Sequence, residues 1–279
     1  MSRDLFATSS DGVRLAIRDH GGDGPDVLFL HGRSRTLVDW PPVLAHLDGI
    51  RAVAMDLRWH GRSDVGGSVS MDAQVSDVHA LIAELALQRP LLVGHSLGGI
   101  IATYAAAGHG CAGVMNIDGL DARMLDAPPS GPSGAPARRE GPDHGDMAWY
   151  LAEAERMHRA EDEFGVPADI ADAYIERALV QEPDGTWRRR PPRAYYELGL
   201  GDDVGPYADA VRAASCPVVV VLCIGTPKTP SHRDAPMTAV REAMARKLAP
   251  ETRVEEIDGS HAVIWEKPDE IAATVRTLL

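Results

Sequence analysis

The chain has 279 residues, 44% hydrophobic, 25% charged and only 5% aromatic, which leaves enough apolar side chain for one sizeable core and excludes a disordered or collagen-like chain. Its 28 Lys and Arg against 41 Asp and Glu give a formal charge of -13, which repels phosphate backbones and anionic lipid; nucleic acid and membrane surfaces are therefore excluded as partners in favour of a small molecule. The three cysteines, Cys111, Cys216 and Cys223, lie far apart with no C-x-x-C spacing, so they read as buried reduced thiols rather than a disulfide scaffold or zinc site.

The N-terminus, Met1 to Leu5, has no basic stretch followed by an apolar run, and no apolar run reaches the roughly 18 residues of a spanning helix, so the expected location is the cytoplasm. Arginine far outnumbers lysine, which occurs only at Lys228, Lys247 and Lys267, a usage expected of a GC-rich bacterial genome. Apolar, β-rich segments then recur at Val13 to Ile17, Val27 to Leu30, Ala52 to Met55, Leu91 to Val93, Val114 to Ile117, Val218 to Ile224 and Val254 to Ile257. Helical patterns lie between them, at Met71 to Leu87, Leu97 to Ala107, Met237 to Leu248 and Pro268 to Leu279. Alternation of this kind predicts a mainly parallel α/β sheet.

The rhythm breaks after Leu120. Asp126 to Gly145 is dense in Pro, Gly and Ser and reads as a surface connection. Met147, Tyr150, Leu151, Ala154 and Met157, then Ile170, Tyr174, Ile175, Ala178 and Leu179, follow at helical spacing and read as packed helix faces. Asp184-Gly185 is a turn signal, and Trp187 with Arg188, Arg189 and Arg190 reads as an exposed basic patch. These features predict a helical cap at 121–210 inserted into a core of 1–120 and 211–279, with Trp149 and Tyr150 among the candidate pocket residues.

Gly94-His95-Ser96-Leu97-Gly98 is G-x-S-x-G between a strand and a helix. The sharp turn lifts the Ser96 hydroxyl off the sheet edge, small flanking residues let strand and helix pack, and the Leu97 amide is left to bind an oxyanion. His261, in the loop Asp258-Gly259-Ser260-His261 after the last strand segment, falls at the same sheet edge and is the candidate general base. His95, the rival, should point away from the hydroxyl. No nucleotide or metal motif emerges: Gly94 to Gly99 lacks the Lys of a phosphate loop, and the histidines show no H-E-x-x-H spacing. No cofactor is expected.

These residues resemble the α/β-hydrolase fold superfamily, in its capped serine-esterase-like branch. The resemblance covers nearly the whole chain and rests on four ordered motifs: His31-Gly32 with Trp40 downstream, Asp56-Leu57-Arg58-Trp59-His60-Gly61-Arg62-Ser63-Asp64, the Ser96 elbow, and Gly259-Ser260-His261. It implies an eight-stranded, mainly parallel sheet with the cap inserted after the sixth strand. It also assigns the second oxyanion amide to Arg33, whose guanidinium could in addition reach a carboxylate, carbonyl or phosphate of the substrate. Trp59 stands where the family usually has glycine and could alter the entrance wall; His31 is a further candidate substrate contact.

The acid departs most from the pattern. The usual aspartate after the seventh strand is missing, since Gly225 is followed by Thr226, Pro227 and Lys228. A second placement in the superfamily, after the sixth strand, is matched by Asn116-Ile117-Asp118-Gly119, which makes Asp118 the candidate orienter of His261. Asp234 is the fallback and Asp258 a weaker one. The expected function is hydrolysis of an ester, thioester or lactone through an acyl-serine; carbon-carbon bond hydrolysis, acyl transfer and a biosynthetic cyclase use the same apparatus, and a non-catalytic, receptor-like ligand binder is the alternative of another class. Oligomeric state is not readable from sequence.

Overall fold

The fold was taken from a computed structural model, which describes residues 2–120, 125, 142–198, 205–224, 244 and 247–279. Its strands are β1 (Arg3–Thr8), β2 (Arg14–Gly21), β3 (Asp26–Leu30), β4 (Arg51–Met55), β5 (Leu91–His95), β6 (Gly113–Ile117), β7 (His144–Gly145), β8 (Leu179–Gln181), β9 (Trp187–Arg189), β10 (Val218–Cys223) and β11 (Arg253–Ile257). The helices are α1 (Pro41–Leu44), α2 (Met71–Glu84), α3 (Leu97–Ala106), α4 (Met147–Phe164), α5 (Ala168–Ala178), α6 (Arg193–Glu197), α7 (Tyr207–Ala213), α8 (Val263–Glu266) and α9 (Pro268–Arg276).

Eight strands form one sheet in the order β1-β2-β4-β3-β5-β6-β10-β11. β2 is antiparallel to both of its neighbours, β1 and β4, and the other pairings are parallel. Every residue of β3, β5, β6 and β10 is buried, because helices cover both faces there. The pleat sorts their side chains: Leu28, Leu30, Leu92, Val114, Val220 and Leu222 join α2, α3 and α7 on one face. Val27, Phe29, Val93, Met115, Val219 and Val221 join Trp40, Ile264 and Ile271 on the other. Each such fully buried aliphatic side chain contributes roughly 1.5–3 kcal/mol.

The sequence patterns miss β1. It is an edge strand with Phe6 half exposed and only Ala7 buried, so it carries no apolar run. The opposite edge, β11, is also mostly exposed. The predicted helix at Met237 to Leu248 lies mostly outside the described residues.

The second small sheet, β7-β9-β8, lies in the inserted segment, together with α4, α5 and α6. Asp146 caps α4 by accepting the Trp149 amide at 3.1 Å, and Gly165 at φ 72° ends it. Asp184-Gly185 turns the β8–β9 hairpin. Two expectations are corrected here. The Pro/Gly-rich stretch does not stay irregular to its end, since His144–Gly145 pairs with β9. The arginines of β9 are not an exposed patch: Arg189 is buried against Glu153, Arg190 is mostly buried and donates to Glu182 at 3.0 Å and to the Ser63 carbonyl at 2.6 Å, and only Arg188 stays substantially exposed. The α4 stripe is likewise split, with Met157 buried but Met147 and Leu151 exposed, whereas the α5 stripe is buried throughout. Helix α7 runs across residue 210 and packs on α3, its Tyr207 hydroxyl meeting Thr103 at 2.8 Å and Asn116 at 2.6 Å. Among the described residues no helix is long and apolar enough to cross a membrane.

Candidate active site

β5 ends at His95 and α3 begins at Leu97, so Ser96 is the whole connection. Its backbone sits at φ 52°, ψ -121°, a region that side chains other than glycine rarely enter. Three bonds hold it there: the Ser96 amide donates to the Ile117 carbonyl at 2.8 Å, and the Gly99 and Ile100 amides donate to the Ser96 carbonyl at 2.9 and 3.2 Å. Gly98 allows the close crossing, since a Cβ there would fall 2.2 Å from the Leu30 carbonyl oxygen. Gly32 lies against the serine, where a Cβ would be 3.3 Å from Ser96 Cβ. The amide of Leu97 is the first of α3 and has no acceptor within its own helix, so it is a donor at the positive end of the helix, next to Ser96.

β6 stops level with β5, with His95 opposite Ile117, and the next residue is Asp118 at φ 52°. Its amide donates to Val221 in β10 at 2.9 Å, which turns the side chain along the sheet edge. One carboxylate oxygen accepts the Cys223 amide at 3.2 Å; the other faces His261 Nδ1 at 2.7 Å. The Asp118 side chain is 3% exposed and that of His261 40%. With Nδ1–H donated to the carboxylate, Nε2 of His261 is the nitrogen left to take or give a proton. Asp258 is exposed, and Asp234 lies outside the described residues.

Two groups not found in the sequence hold the His261 loop. Glu266 in α8 accepts the Ser260 amide at 2.7 Å and the Ser260 hydroxyl at 2.8 Å. His95 donates from Nε2 to the His261 carbonyl at 2.9 Å, its ring 4.7 Å from the His261 ring. Burial holds the His95 imidazole well below its usual pKa, so it is neutral and adds no charge beside the His261 ring. His95 thus braces the His261 loop, and its only sequence signal is its place before Ser96.

Residues 27–274 match the sequence profile of the alpha/beta hydrolase family. The chain belongs to that family. The hydrolase is 30% identical to the non-heme haloperoxidase of Rhodococcus erythropolis over 226 residues, 77% of this chain and 80% of that one. It is 29% identical to lipase LipV of Mycobacterium tuberculosis, covering 96% of this chain and 98% of that one. In fold it is similar to the crystal structure of an E-2-(acetamidomethylene)succinate hydrolase, with a TM-score of 0.74 at 22% identity over 100% and 99% of the two chains.

Of the other candidate residues in the hydrolase, His31 is corrected. It is fully buried, Nδ1 donating to the Gly32 carbonyl at 2.7 Å and Nε2 accepting the Leu57 amide at 3.0 Å, so it braces the loop Gly32-Arg33-Ser34 and has no free edge for a substrate. Burial pushes its pKa down to about 3. His60 is a second brace: Nε2 accepts the Ser34 amide at 3.2 Å, Nδ1 donates to the Arg58 carbonyl at 2.9 Å, and its pKa is also pushed down to about 3 by burial. Trp149 and Tyr150 make their contacts inside the cap, Trp149 Nε1 to the Pro142 carbonyl at 3.2 Å and the Tyr150 ring to Trp187 at 4.2 Å.

The cap meets the loop beside Arg33 through Tyr174 of the α5 stripe and through Tyr196, which no sequence pattern singled out. The Tyr174 hydroxyl donates to the Ser34 carbonyl at 2.6 Å, and the Tyr196 hydroxyl bonds the Ser34 hydroxyl. Arg35 lies between the rings of Tyr174 and Trp265, 4.2 and 4.5 Å from their centroids, and binds Asp39 at 2.7 Å and Glu161 of α4 at 2.6 Å. Arg177 of α5 donates to Asp56 at 2.7 Å with both side chains buried. Asp56 also accepts the Leu37 and Arg62 amides, so the aspartate that opens the second motif is an anchor for the cap. Among the described residues no cluster of three or more His, Cys, Asp or Glu side chains is placed to hold a metal ion.

Proposed function

We propose that this hydrolase cleaves an ester, thioester or lactone of a small organic substrate through an acyl-serine at Ser96. The observation that carries the reading is the 2.7 Å contact between His261 Nδ1 and the buried Asp118 carboxylate, one strand from Ser96 at the same sheet edge. His261 Nε2 takes the Ser96 proton as the oxygen attacks the carbonyl carbon, and the amides of Arg33 and Leu97 receive the oxyanion. Collapse of that intermediate breaks the bond to the leaving group, which leaves with the proton from Nε2. Water, deprotonated by the same nitrogen, then attacks the acyl carbon, and as the bond to the Ser96 oxygen breaks Nε2 returns the proton to that oxygen, releasing the acid and free Ser96. Asp118 stays ionised throughout and stabilises the imidazolium.

Intact-mass spectrometry after treatment with a fluorophosphonate tests the reading, together with turnover of short p-nitrophenyl esters. A single adduct that Ser96→Ala abolishes, with kcat down by about 10⁶-fold, is expected. An adduct retained in Ser96→Ala, or ester turnover unaffected by it, overturns the assignment.

A further inference from the structure

Ser34 follows Arg33, whose amide receives the oxyanion in the reading above, and each of its three polar groups is tied. Its amide donates to His60 Nε2 at 3.2 Å, its carbonyl accepts the Tyr174 hydroxyl at 2.6 Å, and its hydroxyl bonds that of Tyr196. His60 belongs to the core turn after β4, but the other two anchors come from the cap, Tyr174 from α5 and Tyr196 from α6. Both tyrosines are buried. Burial raises the pKa of the Tyr174 phenol, so it keeps the proton that it donates. Tyr196 has its own support: its ring meets that of Tyr195 edge-on at 5.3 Å, with Val69 and Trp59 packed against the pair.

These bonds have a conformational task. The Arg35 amide donates to the Gly32 carbonyl at 3.1 Å, which closes a turn with Arg33 and Ser34 at its centre. Ser34 stands at φ 65°, in the left-handed region that glycine usually fills at the third position of a turn and that serine enters at a cost. Left without its anchors, Ser34 relaxes to negative φ and the central peptide turns over. The turn also fixes the Arg33 amide. In a trans peptide the N–H lies opposite to the preceding carbonyl, and the Gly32 carbonyl is pinned by the Arg35 amide and by His31 Nδ1–H at 2.7 Å. Gly32 itself lies against Ser96. The Leu97 amide needs no such help, because it belongs to the elbow.

We propose that Tyr174 and Tyr196 are positioning residues for the oxyanion: from the cap they hold Ser34, and through Ser34 the Arg33 amide, so that one of the two oxyanion donors depends on the cap. This rests on the serine-hydrolase reading above. The cap then acts on the chemical step itself and not only on the entry of substrate.

The test uses two ketones, trifluoromethyl hexyl ketone and methyl hexyl ketone. Ser96 Oγ adds to the carbonyl carbon of the first, its proton passes to His261 Nε2, and the carbonyl oxygen becomes an oxyanion; the second binds as the ketone. Dissociation constants for both are measured by calorimetry in wild type, Tyr174→Phe and Tyr196→Phe, each of which removes one hydroxyl and keeps the ring. Outright loss of an oxyanion donor costs about 10²–10³-fold, so displacement of one is expected to weaken the trifluoromethyl ketone by about tenfold. The methyl ketone should stay within about twofold, and kcat on a p-nitrophenyl ester should fall with the trifluoromethyl ketone affinity while KM holds. The ratio of the two constants is read within each variant, so a loss of folded protein cancels. A ratio unmoved in either variant, or both ketones weakened alike as a merely structural role requires, overturns the proposal for that tyrosine. Wild type separates this failure from that of the reading beneath it. If the trifluoromethyl ketone binds no tighter than the methyl ketone and forms no adduct at Ser96, the serine-hydrolase reading fails and takes the proposal with it. If it binds tighter and the phenols do not matter, only the positioning role fails.

Discussion

Around Ser96, Asp118 and His261 the contacts that fix each residue involve the main chain: the Ser96 amide on Ile117, the Asp118 amide on Val221, the Cys223 amide on Asp118, and the His261 carbonyl on His95. The cap is fastened differently, by long charged or phenolic side chains that reach across: Arg177 to Asp56, Arg35 to Glu161, Arg190 to Ser63, and Tyr174 and Tyr196 to Ser34. Main-chain contacts follow from strand register, so the catalytic edge is set by the sheet itself. The cap contacts depend on individual buried charges, each of which is costly to leave without its partner.

The comparison can be broken from either side. The largest effect is expected where the catalytic edge depends on neutral buried imidazoles. His31 and His60 titrate near 6.5 in the unfolded chain and at about 3 in the fold, so between those values the unfolded state binds more protons and stability falls as pH falls. Between pH 7 and pH 4 the loss is about 3 kcal/mol for each histidine. Urea midpoints measured across that range should fall steeply for wild type and less for His60→Gln; equal slopes would remove the histidines from the account. An effect of similar size is expected in the cap, where Arg177→Met leaves Asp56 buried without its cation at a cost of about 3–5 kcal/mol. If urea unfolding shows no loss, the cap is held by its apolar face and the contrast between the two regions disappears.

The same contrast explains what could be read in the sequence. Ser96 and its glycines occupy one short segment whose spacing is dictated by a single crossing of strand and helix, so the elbow is visible without any tertiary information. Seven of the eight main strands show as apolar runs; β1 does not, because an edge strand needs only Ala7 inside. Asp118 could be singled out because lysine stands where the usual acid would be and a second position was available. Glu266 and Tyr196 carry no local signal, since each acts on a loop whose path is set by the fold. His31 and the arginines of β9 were misjudged for the complementary reason: histidine and arginine look like surface or ligand residues until the partners that bury them, Leu57 and Glu153, are known.

The central claim is that the acid acting on His261 stands after the sixth strand. The most direct measurement is kcat on a p-nitrophenyl ester for Asp118→Asn beside Asp234→Asn, with far-ultraviolet circular dichroism confirming that both variants fold. The account predicts a fall of about 10³–10⁴-fold for Asp118→Asn, because the amide would present the wrong partner to Nδ1–H, and little change for Asp234→Asn. Near-normal turnover in Asp118→Asn together with collapse in Asp234→Asn would contradict it.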